Sequence, residues 1–565
     1  MNAREKANDW LKQEIDPQTK AEVEALLNGP ESELEDAFYK DLEFGTGGMR
    51  GIMGTGSNRI NKYTLGKATQ GLANYLAKSF PDSSLKVAIA HDSRNNSKAF
   101  ARLVAEVLSA NGVEVFLFSD LRPTPELSFA VRHFQCQSGI VITASHNPSE
   151  YNGYKVYWND GAQIVAPHDK SIVNEVNAIS SLSEVNYAGN DDLIRMVDEE
   201  VDEAFLSASL AQRVSVPDHK DLSIVFTSLH GTSITLMPEL LKRAGYTNVH
   251  IVKEQEEPNG NFPTVDSPNP EERAALKMAL ELAEEVQADV VIGTDPDSDR
   301  LGVAVRNEEG EMVLLNGNQC GALLTDYLLG ERTLKGNEFI AYTIVSSELF
   351  GDIAKAYGCE YEICLTGFKH IASLIRENEG QKTFVGGGEE SYGFMIGDFV
   401  RDKDALTSSL LFCDLAQQSK SMGESVTKRM DRLFAQHGLY QEHLVSLTKK
   451  GKSGSEEIAN MMTSFRDNTP ESIGGEKVVK LADIQAGTMK DLATGASTAI
   501  DLPSSNVLQF FTEKGSKISA RPSGTEPKIK FYFSVKEKRN ADMSMEEQQK
   551  ILDQRIEAMI KDLNI

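Results

Sequence analysis

The chain has 565 residues, 40% hydrophobic and 25% charged, with a formal net charge of −26 at pH 7. That length is more than one core can organise, so several domains are expected, and the acidic balance argues against a nucleic-acid partner, whose backbone needs clustered Lys and Arg. No run of eighteen apolar residues occurs and "MNAREKANDWLKQEID" lacks an apolar signal core, so a soluble cytoplasmic protein without a membrane partner is expected.

The first forty residues read as acidic helices. In "DPQTKAEVEALLNG", Asp16 suits an N-cap, Pro17 a first turn and Gly29 a stop. Strands and helices then alternate: "KVAIAHDSR", "SKAFARLVAEVLSANG", "VEVFLFSD", "TPELSFAVRHF", and a strand that runs into "VITASHNPSEYNGYKVYW". A second alternating block runs from "LSIVFTSLHG" to "ADVVIGT", and a third carries "NGNQCGALLTDYLLG", "FIAYTIVSS" and "LFGDIAKAYG". This pattern predicts three consecutive α/β domains with parallel or mixed sheets flanked by helices. The last stretch differs. "NVLQFFTEKGSKISARPSG" and "KIKFYFSVK" alternate like antiparallel strands before a closing amphipathic helix, which predicts a smaller α+β domain with "KKGKSGSE" as an exposed entry loop. The expected divisions are an N-terminal helical extension at 1–40, α/β domains at 41–208, 209–318 and 319–440, and an α+β domain at 441–565. Five cysteines (Cys136, Cys320, Cys359, Cys364, Cys413), odd in number and in apolar or helical stretches, are expected to be free core thiols.

Each block ends in one polar, glycine-containing loop. Ser145 follows the β-formers Val141, Ile142 and Thr143, and open α/β sheets keep their chemistry at strand carboxyl ends. Alone, such a serine is best read as tying down a turn. In "GTDPDSDRLG", Asp295, Asp297 and Asp299 alternate after a strand, which in an extended chain puts three carboxylates on one side, where they repel unless a cation joins them. A calcium EF-hand is excluded, because Arg300 and Arg306 stand where that loop needs Gly and Glu, so an oxygen-held Mg²⁺ is expected. "GGGEESYGF" offers Glu389 and Ser391 as readers of sugar hydroxyls if the loop is extended, and "LTGFKH" adds Lys369. In "ISARPSGTEPKIK", Arg521, Ser523, Gly524, Thr525 and Lys528 make a phosphate cradle. "GTGGMRG" is neither a Walker loop nor G-x-G-x-x-G, since Arg50 takes the third glycine's place. A serine beside a metal loop, with a remote phosphate clamp, suggests phosphoryl transfer to a sugar phosphate held by a phosphate that does not react.

"TASHNP", "DPDSDR", "GEESYGF…RDKDA" and "RPSGTEPK", with "FGTGGMRG" and "HDSR" before them, resemble in order the signatures of the α-D-phosphohexomutase superfamily, most nearly its bacterial α-phosphoglucomutase branch. The resemblance covers nearly the whole chain. It implies four domains around a central cleft, a phosphoserine at Ser145, and Mg²⁺ held by Ser145 phosphate with Asp295, Asp297 and Asp299. It further implies sugar recognition by Glu389 and Ser391, and a hold on the non-reacting phosphate by Arg521, Ser523, Gly524 and Thr525. Arg50, His146, Lys155, Arg300, Lys369 and Lys403 match positions that line the cleft. The implied reaction moves phosphate between O1 and O6 of glucose through glucose 1,6-bisphosphate, with mannose or pentose phosphates as alternative substrates on the same scaffold. One departure is Lys403-Asp404-Ala405, where many relatives carry Lys-Asp-Gly. A phosphoserine hydrolase is disfavoured because no cluster of His ligands is present, and a non-catalytic binder because neither Ser145 nor any of the aspartates is lost.

Overall fold

The computed structural model describes the whole chain except residues 46, 219, 450 and 524–526, and the side chains of 451 and 452. Helices Ala3–Trp10, Pro17–Asn28 and Glu31–Phe38 form the N-terminal extension. Asp16 caps the second of them by accepting from Thr19 N–H at 2.9 Å, with Pro17 in the first turn and Gly29 at its end. Their apolar faces are short, so they bury Ala7, Val23, Leu34 and Phe38 against Tyr63 of the helix Lys62–Ser79.

Three α/β units follow. The first sheet runs in the order Gly48–Ile52, Tyr151–Trp158, Ser138–Ile142, Lys86–His91, Glu114–Phe118, Ile194–Val197. Its strands from Ser138–Ile142 onward pair in parallel, whereas Tyr151–Trp158 is antiparallel to both neighbours. Helices cover both faces, so neighbouring residues enter different cores: Ile89 packs with Leu72 and Leu108, Ala88 and Ala90 with Leu127 and Val131. The second sheet pairs Val290–Thr294, Ile224–Thr227 and Val249–Ile251 in parallel, then adds Leu301–Arg306 and Met312–Leu315 antiparallel. The third pairs Glu360–Cys364, Glu338–Thr343 and Thr383–Gly388 in parallel and closes with Phe394–Ile396 antiparallel. All three are therefore mixed rather than wholly parallel. In each sheet one antiparallel strand (Tyr151–Trp158, Leu301–Arg306 or Phe394–Ile396) is the return arm of a polar loop, folded back beside the strand that the loop leaves.

The fourth unit is an antiparallel sheet centred on Lys528–Glu537, Lys517–Pro522 and Leu508–Thr512, with Leu439–Thr448 at one edge and the helix Met545–Leu563 against it. "KKGKSGSE" is not an entry loop. From Gly451 it belongs to the helix Gly451–Asp467, which is held down by buried Ile458 and Met462 one turn apart. Gly454 is buried where a Cβ would stand 2.5 Å from Lys449 Cβ, so the glycine marks a close approach and not a turn. The expected divisions at 208, 318 and 440 fall inside the helices Glu199–Leu210 and Gly317–Glu331 and the strand Leu439–Thr448. The first of these helices puts Val201 into the first unit's core and Phe205 into the next, so no linker separates them. The five cysteines are free and buried, and among the described residues no helix is long and apolar enough to cross a membrane.

Candidate active site

The strand Ser138–Ile142 is buried throughout and leads straight into the serine loop. Ser145 is 3% exposed and sits in the left-handed region, with φ 52°. For a residue with a Cβ that conformation costs about 1–3 kcal/mol and needs outside support. Its N–H donates to Thr143 Oγ1 at 2.9 Å, and its Oγ donates to Asp295 Oδ2 at 2.9 Å, across the boundary between the first and second units. His146 Nδ1 lies 3.1 Å from the same Oγ. Burial, with Arg300 and Arg50 nearby, drives the His146 pKa well down and keeps the imidazole neutral.

Residues 295–300 form a turn in which Ser298 is left-handed, with φ 61°, rather than the extended segment that alternation suggested. The turn still gathers Asp295, Asp297 and Asp299, each offering an oxygen within 4.8 Å of the others. Among the described residues this is the single such group. Asp295 Oδ1 accepts the amides of Asp299 and Arg300, both at 3.0 Å. Burial, then Asp297 and Asp299, pushes the Asp295 carboxyl well up. Burial acts the same way on Asp299, but Lys403, Lys155 and Arg300 overcome it and hold that group well below the usual carboxylate range. Lys155 Nζ stands 2.7 Å from Asp297 Oδ2 and 3.2 Å from Asp299 Oδ2, and Lys403 Nζ stands 3.2 Å from the latter and 3.1 Å from Asp402 Oδ1. Two ammoniums therefore offset part of the acid cluster. Asp297 Oδ1 and Asp299 Oδ1 remain buried with no hydrogen-bond partner, which is costly for carboxylate oxygens and suits a hard cation.

The third unit closes over this pair. Its hairpin registers Gly388 with Phe394, and Tyr392 takes φ 64°, so residues 389–393 bend tightly and do not extend. Glu389 Oε1 accepts Gly367 N–H at 2.7 Å. Glu390, which the sequence reading passed over, accepts from Thr343 Oγ1 at 3.2 Å and Ser346 Oγ at 3.1 Å, while burial and then Glu389 raise its pKa. The carbonyl of Ser391 accepts Arg300 Nη1 at 3.3 Å, and Arg300 also pairs with Glu271, a residue with no local signal in sequence. From the fourth unit, Arg521 is registered opposite Lys530, and Ser523 N–H donates to Lys528 O at 2.7 Å.

One cavity of about 740 Å³ joins these elements. Arg50, Ser145, His146 and Lys155 line it from the first unit, Asp299 and Arg300 from the second. Glu389, Ser391 and Lys403 line it from the third, and Arg521, Lys528 and Lys530 from the fourth. Asp295 and Asp297 lie beneath the lining. Lys369 is outside it, one residue past Phe368 in the helix Phe368–Glu377, although Gly367 and Phe368 reach the wall. Ser523 is exposed, and the expected contributions of Gly524 and Thr525 lie outside the described residues.

A hydroxyl pressed against buried carboxylates and ringed by fixed cations has the chemistry to pass a phosphoryl group between oxygens. The class is thus a phosphotransferase whose site is divided among consecutive domains. Comparison with known proteins agrees. The profiles of phosphoglucomutase/phosphomannomutase α/β/α domains I, II and III match residues 41–183, 203–310 and 316–433. A Staphylococcus epidermidis phosphoglucomutase is 37% identical over 533 residues, covering 94% of this chain and 96% of its own. One from Staphylococcus aureus is 38% identical over 507 residues, covering 89% and 91%. The fold is also that of the Paramecium phosphoglucomutase parafusin in its open form, with TM-score 0.70, 17% identity and coverage of 93% and 95%. The chain belongs to the phosphoglucomutase/phosphomannomutase family.

Proposed function

We propose that the protein interconverts α-D-glucose 1-phosphate and glucose 6-phosphate, with Ser145 carrying the phosphoryl group and glucose 1,6-bisphosphate as intermediate. The observation that carries this reading is the contact of Ser145 Oγ with Asp295 across two domains, inside a cavity whose far wall is cationic. The printed activity of the staphylococcal relatives supports glucose as the sugar. Asp295, Asp297 and Asp299, with the phosphorylated serine, would hold Mg²⁺, which when bound supplies charge neutralisation at the moving phosphoryl group. The two orphaned aspartate oxygens fit that ion.

The chain's own groups do the rest. Lys155 and Lys403 fix the acid cluster, and Arg300, tethered by Glu271 and the Ser391 carbonyl, keeps a guanidinium on the wall of the cavity that Ser145 lines. His146, neutral and 3.1 Å from Ser145 Oγ, is the nearest group outside the acid cluster able to exchange that hydroxyl's proton, Asp295 standing at 2.9 Å. Glu389 and Ser391 would accept and share sugar hydroxyl protons. Arg521, with Ser523, Gly524 and Thr525, would hold whichever phosphate is not reacting. Five free buried thiols suit a reducing compartment, and we place the enzyme in the cytoplasm.

The deciding experiment is a coupled assay that ranks glucose, mannose and ribose 1-phosphates by kcat/KM. Glucose 1-phosphate is expected first, and a mannose or pentose phosphate in that place would reassign the sugar. The clamp is tested separately with Arg521→Ala. Loss of a bidentate, charge-assisted contact costs about 2–3 kcal/mol, a roughly 30- to 150-fold weakening of substrate binding. The variant should keep phosphate on Ser145, leak bisphosphate, and regain part of its rate with added glucose 1,6-bisphosphate. Unchanged affinity and unchanged leakage would make this segment a surface turn.

A further inference from the structure

Arg94 touches neither the cavity nor the acid cluster, yet its fully buried guanidinium gathers the whole serine loop. Nη2 donates to the carbonyl of Ser145 at 2.6 Å and to that of Asn147; Nη1 donates to the carbonyls of Pro148 at 2.7 Å and Tyr151 at 3.1 Å. Behind it, Asp92 Oδ2 stands 3.3 Å from Nε, and Asp92 Oδ1 accepts Arg94 N–H at 2.9 Å and Ser97 Oγ–H at 2.7 Å. The second unit covers the guanidinium: the Phe262 ring centroid lies 5.1 Å from Cζ. Gly260 packs on the backbone there so closely that a Cβ would lie 2.3 Å from Asn95 N and 2.8 Å from Arg94 C. A guanidinium spreads five N–H donors over a rigid planar fork and so reaches four carbonyls at once, more than the three donors on a lysine's one nitrogen can serve.

We infer that Arg94 is the positioning residue of the nucleophile. By binding the carbonyls of Ser145, Asn147, Pro148 and Tyr151 it holds Ser145 in the left-handed backbone that points Oγ at Asp295. The second unit, seated over it through Gly260 and Phe262, makes the order of the serine loop depend on the docking of the two domains. The inference rests on the reading of Ser145 as the phosphoryl carrier and adds a residue that acts on it without touching substrate.

The test uses the full-length protein with Arg94→Lys and, separately, Gly260→Ala. Hydrogen exchange of the 143–151 segment is read without substrate, beside kcat and KM for glucose 1-phosphate and the thermal transition. In Arg94→Lys the loop should exchange about tenfold or more faster while the strand Lys86–His91 stays protected. Its kcat should fall about a hundredfold with KM moving less than about threefold, the pattern of a misplaced reacting atom. Gly260→Ala should move both readouts in the same direction by less. If Arg94→Lys does not fold, Gly260→Ala decides: a loosened loop with lowered kcat supports the inference, and an unchanged loop overturns it. A protected loop with wild-type kcat in a folded Arg94→Lys protein overturns it as well, as does a loss confined to KM. Failure of the functional reading looks different: wild-type protein would lack mutase activity whatever the exchange data show.

Discussion

Ser145→Ala is expected to fold normally and to lose nearly all turnover. The argument is local. Oγ is the atom that faces Asp295 at 2.9 Å and His146 at 3.1 Å, and the alanine keeps the Cβ and the backbone contacts that shape the loop. On the proposed function, removing it deletes the covalent carrier and disturbs little else, so the loss should be on the scale of a covalent mechanism, several orders of magnitude. Intact-mass analysis of the wild type should show a fraction one phosphate heavier, mapped to Ser145 and missing from the variant. An active alanine variant, or phosphate mapped to another residue, sinks the mechanism.

The second large effect concerns the ion. Exhaustive chelation should abolish activity and Mg²⁺ should restore it. Asp297→Asn should weaken metal affinity, measured directly by calorimetric titration of the free enzyme, and depress turnover sharply. The physical reason is the unbalanced interior. Lys155 and Lys403 offset Asp297 and Asp299 only in part, and one oxygen on each aspartate has no donor. An asparagine would remove a charge from the set and turn its amide toward the Lys155 ammonium in one of its two orientations. Full activity after chelation would show that the lysines alone balance the cluster.

Much of this site was legible in sequence because its chemistry is concentrated in short loops after strands. Ser145 stands out at the end of "VIT", and the three aspartates stand out by spacing. What spacing could not supply was the backbone that converges them. Ser298 and Tyr392 adopt left-handed conformations that tighten both loops, and neither residue type announces that. The same backbone removes the extension on which the reading of Glu389 and Ser391 rested: both still line the cavity, while Glu390, which extended alternation turns away, is brought onto Ser346 by the tight hairpin. Partnerships between distant residues were also silent. Lys155 and Asp297 are 142 positions apart, and Arg300 finds Glu271 29 positions away. "KKGKSGSE" misled in the other direction, because composition spoke for a loop while two buried side chains farther along decided for a helix.

The body carries −26 in formal charge, yet the cavity wall sets Arg50, Lys155, Arg300, Lys403, Arg521, Lys528 and Lys530 against Glu271, Glu272, Asp299, Glu389, Glu390 and Glu442, a near balance that leaves the fourth unit's side cationic. A doubly charged sugar phosphate approaching from bulk therefore meets repulsion first and attraction last. At physiological ionic strength the Debye length is about 8 Å, so mobile ions mask the body while the recessed wall is screened far less. Capture should begin near the mouth of the cleft, by short-range focusing rather than long-range steering. Added salt would at first speed association by silencing the acidic surface, and slow it only once the ions reach the wall itself. Phosphorylated metabolites of the wrong shape are turned away at no greater distance than the right one; discrimination is left to the interior.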